Sequence, residues 1–224
     1  MKNCIALLLS LIMLFSCALA EEISPAAEAL NSCKEILNGY SQAALEHWDT
    51  DKLYDSDFSP CAAFFENPAE NIGYELRDIN SDGRLDLLVC LKPMEDAPAY
   101  DIIDLYLMDE NRQPVQVLCC DEFSVFHLTG TDGEYGVYEM ISASPYEISL
   151  NLNVFSGMQL ECRDSLLRYE DDDTPLEWSR YVPDEGTYEA ISEEEADTIR
   201  NSWIPTDYIG MDMLSDYIGT YYQK

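Results

Sequence analysis

Near the start of the chain, apolar positions recur every three or four residues, which is the spacing of one face of an α-helix. Between residues 24 and 48 this spacing produces a single apolar stripe. Its members are Leu30, Cys33, Leu37, Tyr40, Ala44 and Trp48. Ser24 suits the N-cap and Pro25 the first helical position. The pattern predicts an N-terminal helix whose stripe packs on another surface, most simply a sheet.

From residue 73 the spacing of apolar positions changes to two, which is typical of half-buried β-strands. The clearest run is Tyr146, Ile148, Leu150, Leu152 and Val154. Two more runs share a face: Ile103, Leu105 and Leu107, and Val115, Val117 and Cys119. Turn residues separate the runs at 109–112, 131–133 and 156–157. Short strands joined by short turns predict an antiparallel meander, because a parallel sheet needs longer crossover connections.

After an acidic loop at residues 170–173, the segment "ISEEEADTIRNSW" predicts a helix. Ser192 and Glu195 form a capping box, and acids in the first turn face the positive end of the helix dipole. Pro205 ends this helix, and a short amphipathic segment is expected at 209–217. The predicted fold class is α+β: a predominantly antiparallel β meander, as a curved sheet or sandwich, with an N-terminal helix and a C-terminal helical segment.

The first twenty residues have the pattern of a secretory signal peptide. Lys2 precedes an apolar run that is shorter than the roughly 20 residues of a membrane span, and Ala18-Leu19-Ala20 is a suitable cleavage site. A freely secreted chain is therefore expected. The alternative is a lipid anchor at Cys17 on the outer face of a bacterial membrane, because Leu14-Phe15-Ser16-Cys17 resembles a lipoprotein box.

The chain is expected to continue as one globular unit after its signal peptide. The predicted order is a signal peptide at 1–20, a helix and connector at 21–72, an antiparallel β domain at 73–183, and a C-terminal helical segment at 184–224 that packs on the same domain.

Acidic residues outnumber basic residues by 44 to 12, which gives a net charge of −32. Removal of the signal peptide would take away Lys2 and leave a net charge of −33, from 11 basic and 44 acidic residues. Nucleic acid is excluded as a partner, because phosphate binding needs a basic face. Anionic lipid is disfavoured for the same reason. The charge favours attraction of cations.

Six cysteines follow residue 20, and an even number permits disulfides outside the cell. They are Cys33, Cys61, Cys90, Cys119, Cys120 and Cys162. The alternative is a set of free buried thiols. The adjacent Cys119 and Cys120 would point to opposite faces of a strand, so they are not expected to pair with each other.

The segment "RDINSDGRLDLLV" concentrates oxygen donors within nine residues. Side-chain oxygens alternate along it in the order preferred by a loop that wraps a hard cation, and Gly83 permits the sharp turn. Calcium is favoured over magnesium, which prefers octahedral sites that keep several waters. The predicted metal ligands are the side chains of Asp78, Asn80, Asp82 and Asp86 and the backbone carbonyl of Arg84.

This Asp-x-Asn-x-Asp-Gly-x-x-Asp-Leu turn resembles the calcium loops of FG-GAP and VCBS-type β-propeller repeats and the first half of an EF-hand loop. The resemblance covers residues 73–92 once, so a propeller is not implied. Val89 stands where an EF-hand has its bidentate Glu, and residues 87–91 predict a strand rather than an exiting helix. The missing ligand implies a modest dissociation constant, roughly 10⁻⁴–10⁻³ M. The alternative is an acidic turn whose side chains bond their own backbone without an ion.

The wider layout resembles that of small secreted proteins and lipoproteins of Gram-positive bacteria. The residues that carry this likeness are Tyr74, Asp78, Asn80, Asp82, Gly83, Asp86 and Leu87, between an N-terminal helix and a hairpin meander. The likeness implies location and layout, and it implies no activity.

Motifs of nucleophilic, zinc-dependent or nucleotide-dependent catalysis are lacking in the sequence, so neither catalytic residues nor an organic cofactor are predicted. His47 and His127 are expected to be structural. Exposure of Tyr135, Tyr138 and Tyr146 would favour a ligand-binding surface. The favoured function is a secreted, non-catalytic calcium-binding module that acts as a surface-associated binding protein for a protein or carbohydrate. The alternatives are a secreted hydrolase with paired carboxylates, and an acidic inhibitor or accessory protein.

Overall fold

The computed structural model describes residues 24–92, 101–121, 123–131, 134–144, 146–171, 174–203 and 211–222. The predicted signal peptide and the lipid site at Cys17 lie outside these described residues. The same is true of part of the predicted amphipathic segment at 209–217. None of the helices in the described ranges is long and apolar enough to cross a membrane.

Eleven strands in the described part of the chain form one antiparallel sheet that is not closed, which confirms the α+β meander. The strands are β1 (Ile72–Arg77), β2 (Asp86–Leu91), β3 (Asp101–Met108), β4 (Pro114–Cys119), β5 (Ser124–Thr131), β6 (Glu134–Ser144), β7 (Glu147–Ser156), β8 (Gln159–Asp171), β9 (Thr174–Val182), β10 (Thr187–Ile191) and β11 (Asp212–Met213). Their order is β10-β9-β8-β7-β6-β5-β3-β2-β1-β11, and β4 pairs with β3. Nearly all neighbours are consecutive in the chain, as the short turns predict.

The described helices flank the strands in sequence. They are α1 (Pro25–Ser32), α2 (Lys34–Glu46), α3 (Thr50–Tyr54), a 3₁₀ helix (Pro60–Phe64), α4 (Pro68–Asn71), α5 (Glu193–Ser202) and α6 (Leu214–Thr220). The predicted N-terminal helix is therefore two segments, with Cys33 between them. The Ser24 hydroxyl caps the first by accepting from the Ala27 amide at 3.2 Å. The Ser192 hydroxyl caps α5 in the same way through the Glu195 amide.

The main core lies between the N-terminal helices and strands β1 to β3. All six members of the predicted helical stripe belong to it or pack against it. A second, smaller core contains Leu150, Leu166, Trp178, Ala196 and Trp203, where α5 packs on the far strands. We call β1–β4, β11 and their helices the N-terminal lobe, and β5–β10 with α5 the C-terminal lobe. The sheet joins the lobes through a single residue pair, Ile102 with Phe126.

Strands β2 and β3 are buried along almost their whole length. The predicted alternation of buried and exposed residues therefore does not hold for these two strands. Cover on both faces explains the near-continuous apolar run of β2. On β4 the predicted shared face is largely solvent-exposed at Val115 and Cys119, whereas Leu118 is buried, and a β-bulge interrupts the β3–β4 pairing. Strand β10 extends the sheet into the segment that was predicted to be helical from residue 184.

Candidate metal centre

The predicted metal loop connects β1 to β2, and the strand residues at its two ends pair with each other in the sheet. Arg77 lies opposite Asp86 in the β1–β2 ladder, so the two ends of the loop are held side by side. Two residues inside the loop adopt positive φ, Ser81 at 59° and Gly83 at 84°. A side chain strains this conformation, which explains the glycine at position 83. The chain therefore folds back on itself within nine residues, as the sequence predicts.

The Asp78 carboxylate lies inside this turn and collects backbone donors. Its two oxygens accept from the Asp82 amide at 3.1 Å and from the Gly83 amide at 2.9 Å. The Asn80 side-chain oxygen also accepts from the Asp82 amide, at 3.3 Å. The oxygens of Asp78 and Asn80 thus converge on one side of the turn.

The Asp82 carboxylate bonds both the backbone of the turn and the guanidinium of Arg84. One of its oxygens accepts from the Arg84 amide at 2.9 Å, and the other pairs with the Arg84 guanidinium and accepts from Asn80 Nδ2 at 2.9 Å. Arg84 also reaches the end of β3, where its Nε donates to the Met108 carbonyl at 2.9 Å. The guanidinium therefore neutralises part of the loop's negative charge.

Asp86 lies beneath the turn and is completely buried. Its two oxygens accept from the Ile79 amide at 3.0 Å and from the Met108 amide at 2.8 Å, so the side chain ties the loop to β3. Burial, together with the negative charges of Asp82 and Asp78, raises the pKa of Asp86 to about 6, against the two amide hydrogen bonds, which lower it. A carboxyl with this pKa carries an electrostatic cost near neutral pH that a cation in the loop would reduce.

The five predicted ligand residues are thus close in space, and they have different roles. Asp78, Asn80 and Asp82 line the turn, whereas Asp86 braces its base and Arg84 presents a cation to it. Within the described residues, no three His, Cys, Asp or Glu side chains are grouped in a way that holds a metal by themselves. A calcium site here would rely on carboxylates together with the Asn80 oxygen, a backbone carbonyl and water, which are the donors that calcium accepts.

A cleft of about 500 Å³ borders the loop on the side of the C-terminal lobe. Asn80 reaches across to this lobe, because its Nδ2 donates to the Gly157 carbonyl in the β7–β8 turn at 3.4 Å. None of the described residues that line the cleft is acidic. Its wall includes Ile79, Asn80, Ser81, Tyr135, Phe155 and Trp203.

The three tyrosines chosen from the sequence have different environments. Tyr146 is 60% exposed, Tyr135 is half-buried in the cleft wall under Arg77, and Tyr138 lies between His127 and Trp203. Burial raises the pKa of Tyr138. They therefore form no common exposed patch, although Tyr135 lies in the cleft.

The two histidines lie in different parts of the fold. His47 ends α2 with a left-handed backbone, at φ 51°. His127 Nδ1 lies 3.5 Å from an oxygen of Asp101, and its ring stacks on Tyr138. That neither histidine is catalytic stays a prediction.

A second buried acid, Asp104, was not predicted from the sequence. It accepts from the hydroxyls of Tyr40 and Tyr106, from the Ser59 amide at 3.2 Å and from Gln116 Nε2 at 3.0 Å. Burial raises the pKa of Asp104 to about 6, against these hydrogen bonds. The only sequence signal that could have identified Asp104 is its position as a charged residue among the apolar residues of β3.

The geometry of the loop offers oxygen donors around a sharp turn, a buried acid beneath it and a cleft beside it. Asp86 and Asp104, the two acids whose pKa is raised to about 6, are completely buried. Comparison of the chain with protein-family models, with curated proteins and with solved structures found no match.

Proposed function

We propose that this protein is a secreted, non-catalytic calcium-binding module in which loop 78–86 binds one Ca²⁺ ion and supports a ligand-binding surface. The observation that carries the proposal is the inward turn of Asp78 and Asn80 around Gly83, above the buried carboxyl of Asp86. Three acids in this small volume repel one another, and a divalent ion removes that repulsion.

The link from ion to ligand surface runs through Asn80. Its side chain is both a predicted calcium ligand and the group that donates to Gly157 in the C-terminal lobe. Calcium would fix the loop and so fix one wall of the cleft. The aromatic rings of Tyr135, Phe155 and Trp203, with polar groups between them, suit a carbohydrate or a protein segment as ligand.

Thermal unfolding in the presence of calcium tests the proposal. With a dissociation constant near 10⁻⁴–10⁻³ M, a tenfold excess of free Ca²⁺ over that constant stabilises the fold by about 1.4 kcal/mol and raises Tm by roughly 3–5 °C. The measurement is a calorimetric series from chelator to about 10 mM Ca²⁺. Identical Tm values across the series contradict the proposal.

Two aspartates provide a matched pair of variants for this experiment. Asp82→Ala should abolish the calcium-dependent rise in Tm. Asp109 occupies a comparable acidic turn, where one oxygen accepts from the amides of Asn111 at 2.8 Å and Gln113 at 2.7 Å. Asp109→Ala should lower Tm in chelator and leave the calcium-dependent rise unchanged. An equal loss of the rise in both variants would assign the effect to general destabilisation.

Arg84 distinguishes a calcium loop from a simple acidic turn. Its guanidinium occupies the Asp82 carboxylate, so calcium has to displace it from that oxygen. Arg84→Met should therefore lower Tm in chelator and lower the calcium concentration at half-saturation several-fold. A turn that binds no ion predicts only the first effect.

A further inference from the structure

Two of the six cysteines in the described residues bring their sulfur atoms into contact. Cys61 lies in the 3₁₀ helix and Cys120 directly follows β4, and their Sγ atoms are 3.5 Å apart. The two residues are 59 positions apart in the chain. Their sulfurs must approach by about 1.5 Å to reach the length of a disulfide, near 2.05 Å.

The backbones around both cysteines are held together by one hydroxyl group. Ser59 Oγ accepts from the Cys61 amide at 3.3 Å and donates to the Cys120 carbonyl at 2.9 Å. The Cys120 amide in turn donates to the Ile103 carbonyl in β3 at 2.7 Å. Because these contacts do not involve the sulfurs, the pair is positioned by the fold.

We propose that Cys61 and Cys120 form a disulfide that fastens the N-terminal helical segment to the sheet. The two thiols lose two protons and two electrons as the S–S bond forms. An external disulfide such as oxidised glutathione accepts them, and its own S–S bond breaks to give two thiols. This inference does not depend on calcium binding.

The environment of the pair favours the oxidised form once it exists. Both side chains are about 95% buried, so a soluble reductant reaches the sulfurs only when the structure opens. In the dithiol form the sulfurs contact the backbone carbonyls of Asp121 and Ser124. Thiols are weak donors, so the loss of these contacts on oxidation costs little.

The other four cysteines have different environments. Cys33 and Cys90 are completely buried in the main core, whereas Cys119 and Cys162 are solvent-exposed. Cys119 is the last residue of β4 and is exposed, whereas Cys120, which follows it, is buried. The contact between the Cys61 and Cys120 sulfurs, at 3.5 Å, therefore favours this pair over a pair that includes Cys119.

Peptide mapping after equilibration in a glutathione redox buffer tests the pairing. Free thiols are blocked by alkylation under denaturing conditions before digestion without reductant. The expected result is a linked peptide that contains Cys61 and Cys120, with Cys33, Cys90 and Cys162 alkylated. Alkylation of both Cys61 and Cys120 in oxidising buffer, or a link from Cys61 to Cys119, overturns the proposal.

Thermal unfolding gives an independent measurement. Reduction of the protein, or the double substitution Cys61→Ala and Cys120→Ala, should lower Tm by roughly 10 °C, because the loop that the bond closes is long. Reductant should leave the Tm of the double variant unchanged. Cys162→Ser is the matched control and should keep both the linked peptide and the effect of reductant. Because the pair is buried, reduction is carried out in denaturant and the protein is refolded before the measurement; a wild-type Tm that this treatment leaves unchanged also overturns the proposal.

Discussion

Two carboxyl groups, those of Asp86 and Asp104, are completely buried in a protein that carries 44 acidic residues. Each accepts several hydrogen bonds, yet burial raises the pKa of both to about 6. An exposed aspartate has a pKa of about 3.9. The folded state therefore holds these two protons more tightly than the unfolded state does. Their contribution to stability is complete below about pH 4 and is lost as the pH rises through about 6.

Asp104→Asn tests this linkage, because it removes the titration and preserves the size of the side chain. Between pH 5 and pH 7 the wild-type protein should lose about 1.4 kcal/mol more unfolding free energy than the variant, a Tm difference of roughly 3–5 °C. Calorimetry at the two pH values measures this difference. Glu110→Gln makes the same chemical change at an exposed acid, and its loss of unfolding free energy between pH 5 and pH 7 should equal that of the wild type. An equal pH dependence for Asp104→Asn and wild type would show that Asp104 does not titrate in this range.

Helix α2 depends on a close approach that its sequence does not reveal. A Cβ atom added at Gly39 would lie 2.2 Å from the end of the Phe58 ring, which itself packs on Tyr40 with 4.8 Å between ring centroids. Glycine normally weakens a helix by about 1 kcal/mol relative to alanine, and here the Phe58 ring occupies the space that an alanine methyl group would need. The segment after α3 is thus fitted to one side of α2.

Gly39→Ala should therefore lower the unfolding free energy by about 1–2 kcal/mol, because overpacking exceeds the gain in helix propensity. Gly219 in α6 is the matched control, since a Cβ atom added there meets nothing within 4 Å. Gly219→Ala should raise the unfolding free energy by a few tenths to about 1 kcal/mol. Chemical denaturation of both variants measures the two signs. Stabilisation by Gly39→Ala would contradict the prediction and mean that Phe58 moves aside without cost. In the double variant Gly39→Ala with Phe58→Leu, most of the unfolding free energy lost in Gly39→Ala should be recovered.

Local sequence patterns predicted the helices, caps and strands better than the contacts between distant segments. The stripe from Leu30 to Trp48, the caps at Ser24 and Ser192 and the existence of strand β7 depend on neighbours in sequence, and the structure contains all of them. The burial of β7 does not alternate as its sequence predicts. Asp104 was missed because its partners, Tyr40, Ser59 and Gln116, come from three distant segments. No spacing rule along the chain encodes such a meeting.

The loop at 78–86 shows the same limit on a smaller scale. Its sharp turn and the inward Asp78 follow from residue types within nine positions. The position of Asp86 beneath the turn does not, because the second amide that it accepts belongs to Met108 on β3. The engagement of Asp82 by Arg84 also depends on how the arginine side chain is held at the Met108 carbonyl.

The two lobes differ strongly in how much apolar structure supports them. Of the 29 buried residues of the main core, 26 lie outside the C-terminal lobe, whereas the second core contains five buried residues. Every residue of β2 is buried, whereas β10 is exposed over four of its five residues. One residue pair joins β3 to β5, so little of the backbone ladder couples the lobes. The main core itself extends into the C-terminal lobe through Phe126 and Leu128 of β5 and Val137 of β6. Phe155, Met158 and Leu160, near the β7–β8 turn, also pack against it.

Native-state hydrogen exchange should therefore resolve two cooperative units. Amides of β9 and β10 should exchange through an opening of low free energy, whereas amides of β2 and β3 should exchange only on global unfolding, because local stability follows buried apolar contact. Mass spectrometry of peptides from each lobe at increasing denaturant measures both free energies.

Two core variants test whether the lobes are separate units. Leu166→Ala in the second core should accelerate exchange in the C-terminal lobe and leave exchange in β2 unchanged. Leu88→Ala in the main core should accelerate exchange in both lobes. If Leu166→Ala changed β2 and β10 equally, the lobes would unfold as one unit, and the cleft between them would be as rigid as either core.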